Sequence, residues 1–144
     1  NYPLQSAFLV TMTNTVADVT GDGTAYTVVW DTEVFDQNGD MSTTTYTAPV
    51  TARVQLSCCV LLQQVVAHTS SASQITTSNR SYRTSINPAA VQAANFYTVT
   101  NSILADMDAA DTATCVITLS GSTKTVDVFG GTTPTSAFSG IILA

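Results

Sequence analysis

Side chains that could carry acid–base or nucleophilic chemistry are scarce in this sequence of 144 residues. Its single histidine, His68, lies beside a serine-rich stretch, so any Ser-His-Asp or Cys-His arrangement would have to use that imidazole. No Gly-x-Ser-x-Gly pattern, the turn that exposes a nucleophilic serine, accompanies it. We therefore expect His68 to be a surface histidine at the end of a strand and not a catalytic base.

Two short runs of oxygen-bearing side chains could ligate a hard cation such as Ca²⁺. They are Asp106, Asp108 and Asp111, and Asp36, Asn38 and Asp40. The second run imitates the start of an EF-hand loop, but its glycine comes too early and no glutamate closes it. The competing interpretation of both runs is that they are turns with solvated acids.

Glycoside cleavage needs two carboxyl groups, one of which is kept protonated by apolar surroundings. Nearly every aspartate here lies in or beside a predicted turn. The acids on predicted strands are Asp31, Glu33 and Asp127, and they show no pairing. A glycan-active enzyme is the alternative to a non-catalytic protein, and it requires an activity that is lost when Asp31, Glu33 or Asp108 is replaced.

Arg80, Tyr82 and Arg83 form the candidate recognition patch, because arginine and tyrosine are favoured at the energetic centres of interfaces. The competing interpretation is an exposed edge strand whose long side chains lie along the surface. The tripeptide Asn79-Arg80-Ser81 is also an N-glycosylation sequon, which has meaning only in a eukaryotic secretory protein.

The charge balance limits the partners. Charged residues make up 10% of the chain, against about a quarter in ordinary globular proteins, and the net charge is −6 with only 4 lysines and arginines. Phosphate neutralisation needs many cations, so nucleic-acid binding is not expected. No apolar run approaches the roughly 20 residues that span a bilayer, so membrane insertion is not expected either.

The three cysteines are Cys58, Cys59 and Cys115. Their number is odd and their spacing does not suit a metal site. Because adjacent residues of a strand face opposite sides, at most one of Cys58 and Cys59 could meet Cys115 across a core. Small buried thiols are the favoured interpretation, and no disulfide framework is predicted.

Residues 26–36 predict the strand around which the chain is organised. Tyr26, Val28, Trp30 and Val34 recur at a period of two, as on the buried face of a sheet. Asp31 and Glu33 point the other way, which favours an antiparallel sheet with one wetter side. We predict that this is the central strand of a sandwich.

The rest of the chain reads as short strands separated by turns, with threonine and serine over-represented. The predicted strands are residues 6–12, 51–63, 81–86, 96–104, 112–119, 124–129 and 137–144. Gly121 and Ser122 predict a hairpin between the strands at 112–119 and 124–129. Residues 68–81 read as loop or exposed edge, one helical turn is expected after Asn87, and the chain end should be tied into the centre of a sheet. The prediction is one all-β domain, residues 1–144, folded as an antiparallel jelly-roll sandwich of about ten strands.

Four segments resemble the globular heads of the complement C1q-like family. Residues 29–34 with Asn38 and Gly39 resemble the phenylalanine-aspartate-threonine strand and turn that open these heads. Residues 46–50 look like the family's next segment, Asp111 is similar to its glycine-aspartate turn, and residues 136–143 look very like its closing strand. The matches occur in the family's order and span nearly the whole chain.

The resemblance implies a jelly roll of the tumour-necrosis-factor type that assembles as a homotrimer and serves recognition, not catalysis. We expect Cys59, Leu61, Phe96 and Tyr97 to face neighbouring copies. No cofactor is expected, although C1q-like heads can hold calcium. The first hypothesis is a trimeric module of a virion surface, either a bacteriophage capsid decoration protein or a fibre tip. Its partners would be capsid or fibre proteins, or a glycan or protein of the host surface. The alternative is a secreted or cell-surface C1q-like binding protein of a bacterium or invertebrate.

Overall fold

A computed structural model describes residues 5–90 and 96–143. The described chain contains twelve strands and one short 3₁₀ turn. They are β1 (Ala7–Thr11), β2 (Val16–Thr20), β3 (Ala25–Thr27), β4 (Thr32–Gln37), β5 (Tyr46–Thr47), β6 (Ala52–Gln63), β7 (Ser70–Thr77), β8 (Ser81–Ile86), the 3₁₀ turn (Pro88–Ala90), β9 (Tyr97–Met107), β10 (Thr112–Ser120), β11 (Val126–Val128) and β12 (Ala137–Leu143). The predicted helical turn after Asn87 is confirmed as far as Ala90, and its remainder lies outside the described residues.

The strands form two antiparallel sheets packed as a sandwich, which confirms the predicted all-β jelly roll. The seven-stranded sheet has the order β2-β11-β6-β12-β1-β4, with β9 also paired to β6. The five-stranded sheet has the order β3-β10-β7-β8, with β5 also paired to β10. Both sheets bury the alternate apolar side chains of their strands between them.

The centre of the seven-stranded sheet follows the predicted alternation. In β6 every second residue from Val54 to Leu62 is at most 2% exposed. β12 lies between β6 and β1, so the prediction that the chain end is tied into a sheet is confirmed. Gly140 of β12 lies beneath the Phe8 ring, where an added Cβ would approach a ring carbon to 2.5 Å. The small residue therefore makes room for the aromatic core.

The predicted central strand at residues 26–36 is wrong. It is two short strands in different sheets: β3 pairs with β10 and β4 pairs with β1. The chain crosses between the sheets over the buried residues Val28 and Trp30, whereas Val34 is 55% exposed. The alternation of burial holds as far as Trp30, and within the described residues β3 and β4 each pair with one strand only.

Two further predictions are corrected. Residues 68–81 contain β7, an internal strand of the five-stranded sheet between β10 and β8, and its small hydroxyl side chains are buried with Ile75. Gly121 does form a turn with positive φ, but β11 pairs with β6 and β2 and not with β10. The predicted hairpin is instead a crossing from one sheet to the other.

The cysteine prediction is also corrected. Cys58 of β6 and Cys115 of β10 form a disulfide across the core, with their Cα atoms 6.7 Å apart. Both residues point inward from facing sheets, as the predicted alternation allows, and Cys59 remains free and half-buried. None of the described helices is long and apolar enough to cross a membrane.

Candidate interaction surface

Exposed apolar side chains cluster on the outer face, which we define as the side chains of β6, β9 and β12 that point away from the core. Strand pairing places Ile141 beside Gln55 and Gln55 beside Leu104. Leu104 is 48% exposed, Ile141 41% and Leu143 44%. Exposed large apolar side chains clustered on one sheet face are typical of a surface that another molecule covers.

Small hydroxyl residues occupy the middle of the outer face. Ser102 accepts a hydrogen bond from Gln55 Nε2 at 2.9 Å and lies 3.0 Å from the hydroxyl of Ser57. The short side chains leave a shallow depression of about 450 Å³, which Cys59 and Ser139 also line. The face therefore offers a shallow hollow with hydroxyl groups in its lining, beside an apolar ridge.

Two of the edge strands of this sheet, β4 and β9, differ. β4 carries Glu33 and Asp36 and has a bulge at Val34, which has no partner on β1; charges and bulges are the usual protection of an edge strand. β9 is eleven residues long, pairs regularly with β6 and has no charge before Asp106. Within residues 5–90 and 96–143, this edge has neither the bulge of β4 nor a charge over residues 97–105.

A groove of about 230 Å³ runs between β8 and β9 and is lined by residues that include Ile86, Tyr97 and Val99. Ile86 is 41% exposed, and Phe96, which directly precedes β9, is 54% exposed. The unprotected strand edge therefore has apolar side chains on either side of it.

The four residues expected to face neighbouring copies occupy both of these surfaces. Cys59 and Leu61 are half-buried on the outer face, Phe96 is exposed just before β9, and Tyr97 lines the groove while its ring packs against the core. Their role in an assembly stays a prediction. The sequence analysis did not place Leu104, Ile141 and Leu143 on a contact surface. The last strand has apolar residues on both of its faces, and this pattern could have indicated that its outer face is covered.

In the structure, two residues of the predicted recognition patch, Arg80 and Tyr82, contact Asp106, which was predicted as a metal ligand. Arg80 forms an ion pair with Asp106 at 2.7 Å, and the Tyr82 hydroxyl donates to the other oxygen at 3.0 Å. The Tyr82 hydrogen bond, with the Arg80 charge, lowers the pKa of Asp106, while burial and then Asp106 raise the pKa of Tyr82. Arg83 points elsewhere and donates to Gln74.

The carboxylates suggested as metal ligands are engaged in turns. Asp111 accepts from the Asn79 amide at 2.9 Å and from the backbone N–H of Asp108 at 2.8 Å. In the other run, Asp36 accepts from the backbone N–H groups of Asp40 and Met41. Within residues 5–90 and 96–143, no group of three or more histidine, cysteine, aspartate or glutamate side chains is arranged to hold a metal ion.

His68 is not a surface residue, which corrects the prediction. Its side chain is fully buried, Nδ1 accepts the backbone N–H of Val66 at 3.1 Å, and Nε2 lies 3.0 Å from the Thr123 carbonyl oxygen. The ring therefore carries its proton on Nε2 and joins two loops. The valines that precede it, Val65 and Val66, were the only sequence signal of this burial.

Comparison with known proteins supports the fold of this chain but does not assign it a function or a ligand. No protein-family model matches the chain, and no curated protein sequence matches it. Among solved structures, murine APRIL is similar with a TM-score of 0.66 and 12% identity, covering 96% of this chain and 99% of that one. The globular domain of the zebrafish complement 1qA protein is similar with a TM-score of 0.66 and 13% identity, covering 97% and 98%. The chain therefore has the C1q/TNF-like jelly-roll fold.

Proposed function

We propose that this chain is a non-catalytic binding module that assembles as a homotrimer through the outer face and the β9 edge. The observation that carries the proposal is an exposed apolar sheet face next to a long strand edge that has no bulge and no charge before Asp106. Both features would be liabilities in a lone soluble domain. In a closed ring of copies, one neighbour covers the face and the other neighbour covers the edge.

The face and the edge are different surfaces, so an edge-on-face contact is heterologous. Heterologous contacts close into rings when the rotation between copies allows it. Three copies is the number that the resemblance to C1q-like heads implies. The low charge of the chain is consistent with much of its surface being covered.

The more specific proposal is a virion-surface role, as a bacteriophage capsid decoration protein or the tip of a fibre. It draws support from a surface rich in hydroxyls and poor in ions. A disulfide between Cys58 and Cys115 suits a virion or cell surface, where oxidised cysteines persist. A decoration protein would bind capsid proteins, whereas a fibre tip would bind a glycan or protein of the host.

The same disulfide suits the second candidate equally, a secreted or cell-surface C1q-like binding protein. The parent gene discriminates between the candidates. A signal peptide or a collagen-like repeat favours the secreted protein, and an upstream stalk or coiled coil favours the fibre tip.

The assembly is tested by sedimentation velocity of the purified chain at several concentrations, with and without a chelator. The expected species has three times the mass of the chain. Leu104→Asp and Ile141→Glu place charges on the outer face and should give folded monomers, with unchanged circular dichroism. Val66→Asp is the control, because Val66 is 56% exposed in the loop after β6. A wild-type chain that stays monomeric at all concentrations contradicts the proposal.

A further inference from the structure

The turn after β4 contains an asparagine that is followed directly by a glycine. Asn38 and Gly39 lead from β4 to Asp40, and both have left-handed backbone conformations, with φ of 80° and 69°. Glycine and asparagine accept such conformations more readily than other residues do. Both residues are exposed, and a Cβ built on Gly39 would meet no atom within 4 Å. The peptide between them is therefore open to water.

Asparagine is among the thermally labile residues of proteins, because the backbone nitrogen of the next residue can attack its Cγ. A new N–Cγ bond closes a succinimide ring and the Cγ–Nδ2 bond breaks. The proton of the attacking N–H passes through water to the amide nitrogen, which leaves as ammonia. Water then opens the ring. Hydrolysis of the N–Cγ bond gives aspartate, and hydrolysis of the backbone C–N bond gives isoaspartate.

The Gly39 nitrogen is well placed to be such a nucleophile. The residue has no Cβ to crowd the attack, and the space that a Cβ would fill is open. Its N–H donates to the Asp36 carbonyl oxygen at 3.3 Å, which is longer than the usual range of about 2.7–3.2 Å. Only a weak hydrogen bond must therefore be given up when this nitrogen reacts.

The other asparagines within residues 5–90 and 96–143 have less favourable surroundings. Asn87 precedes a proline, whose nitrogen carries no hydrogen, and Asn14 precedes a β-branched threonine. The Asn101 amide is buried and donates to two backbone carbonyl oxygens at 3.1 and 2.7 Å. The Asn79 amide also donates to two acceptors, at 3.0 and 2.9 Å. Ring closure is therefore favoured most at Asn38.

The turn depends on the amide that this reaction would remove. Asn38 Nδ2 donates to Asp40 Oδ2 at 3.1 Å, and the same oxygen accepts from the Ser6 hydroxyl at 2.6 Å. Asp36 accepts from the backbone N–H groups of Asp40 and Met41, both at 3.0 Å. Deamidation replaces the donor with a carboxylate beside two others, and like charges repel. Isoaspartate also adds an atom to the main chain within the turn, which moves the N–H groups relative to Asp36.

We propose that Asn38 is a site of spontaneous deamidation in the folded protein, through attack by the Gly39 nitrogen, and that the product loosens the turn after β4. The reaction consumes water and needs no enzyme. It is independent of the proposed binding function and of the trimer, because every reacting group lies in one turn of one chain.

The test is incubation of the purified folded protein at neutral and mildly alkaline pH, followed by peptide mapping with mass spectrometry. The peptide that contains Asn38 should gain the mass difference between an amide and an acid before any other asparagine peptide does. The rate should rise with pH, because the Gly39 nitrogen must lose its proton to attack. Gly39→Ala should slow the conversion by crowding that nitrogen. Asn38→Gln, which must close a larger ring, should keep its amide.

Gly23→Ala is the matched control, because Gly23 is also exposed, has a φ of 95° and has no atom within 4 Å of an added Cβ. Asn38 should convert in this variant as it does in the wild type. The proposal is overturned if Asn38 keeps its amide in the folded protein, whether or not the urea-unfolded chain loses it. Conversion of Gly39→Ala at the wild-type rate also overturns it.

The effect on the turn is measured on the deamidated protein after it is separated from the intact protein by anion exchange. The deamidated fraction should melt at a lower temperature, and Asn38→Asp should also melt below the wild type. Equal melting temperatures for the intact and deamidated fractions would overturn the proposed loosening of the turn.

Discussion

At the scale of single residues, His68 joins two loops through its ring nitrogens. It accepts from Val66 and binds the Thr123 carbonyl, and Gly21 leaves the space against Nε2 that a Cβ would fill at 2.7 Å. Replacement by alanine would remove the acceptor of the part-buried Val66 N–H, remove one of the two donors to the Thr123 carbonyl and leave a cavity. We expect His68→Ala to lower the free energy of unfolding by roughly 2–4 kcal/mol, measured by denaturant titration.

Val66→Ala is the control for this variant. Its side chain is exposed in the same loop, and its backbone N–H still reaches His68, so the free energy of unfolding should change by less than about 0.5 kcal/mol. Equal losses in the two variants would show that the loop, and not the imidazole, is responsible.

The carboxylate of Asp31 leads to a prediction about how the stability of the protein depends on pH. Its folded pKa lies below the unfolded value of about 3.9, because the hydrogen bonds from Thr13 and Asn14 outweigh burial. The stabilisation is therefore present above the unfolded pKa and is lost as the pH falls through the folded pKa. Between about pH 5 and about pH 3 the wild type should lose more stability than Asp31→Asn does. The difference should be small, since the carboxylate is largely exposed.

Thermal melting at several pH values between about 5 and about 3 measures how much stability the wild type and Asp31→Asn each lose. Asp108→Asn is the control for removing one charge. If Asp31→Asn and the wild type lose stability in parallel, the carboxylate does not hold the backbone of residues 13–14 as described.

At the scale of elements, the disulfide ties β6 of one sheet to β10 of the other across a sequence separation of 57 residues. A crosslink of this span restricts the unfolded chain strongly, by one account of disulfide stabilisation. We expect the double variant Cys58→Ala/Cys115→Ala to lose about 2–4 kcal/mol of unfolding free energy.

The disulfide itself is checked by thiol counting with mass spectrometry. The unfolded, unreduced chain should react at Cys59 alone, and reduction should make all three cysteines reactive. Cys59→Ala should keep the wild-type stability. Three reactive thiols before reduction would contradict the crosslink.

At the scale of the whole molecule, the proposed contact surfaces are apolar or hydroxyl-lined, and their charges are confined to Arg53 and the Asp106 corner. Salt screens interactions between exposed charges but strengthens or leaves unchanged the burial of apolar surface. The proposed trimer should therefore persist when sodium chloride is raised from about 0.1 M to about 1 M, where the Debye length is about 3 Å. If sedimentation shows that the trimer dissociates when salt is added, ion pairs hold the contact and the prediction is wrong.

The features that can be predicted from the sequence are those set by residues close together in the chain. The alternation in β1, β6, β10 and β12 is local, because each strand must bury one face, and those strands and the jelly roll follow from it. The functional candidates were predicted less well: Arg80, Tyr82 and Asp106 meet at one corner, while the outer face became visible only once β9, β6 and β12 were in register.

The sequence by itself determined the fold class, the low charge and the two-sided apolar closing strand, because composition and period-two patterning are properties of neighbouring residues. Only the tertiary structure decided that residues 25–37 divide between two sheets, that His68 is buried and that Cys58 meets Cys115. It also decided which edge of the sheet is left without protection. Each of these depends on contacts between residues far apart in the chain, whose geometry no local pattern encodes.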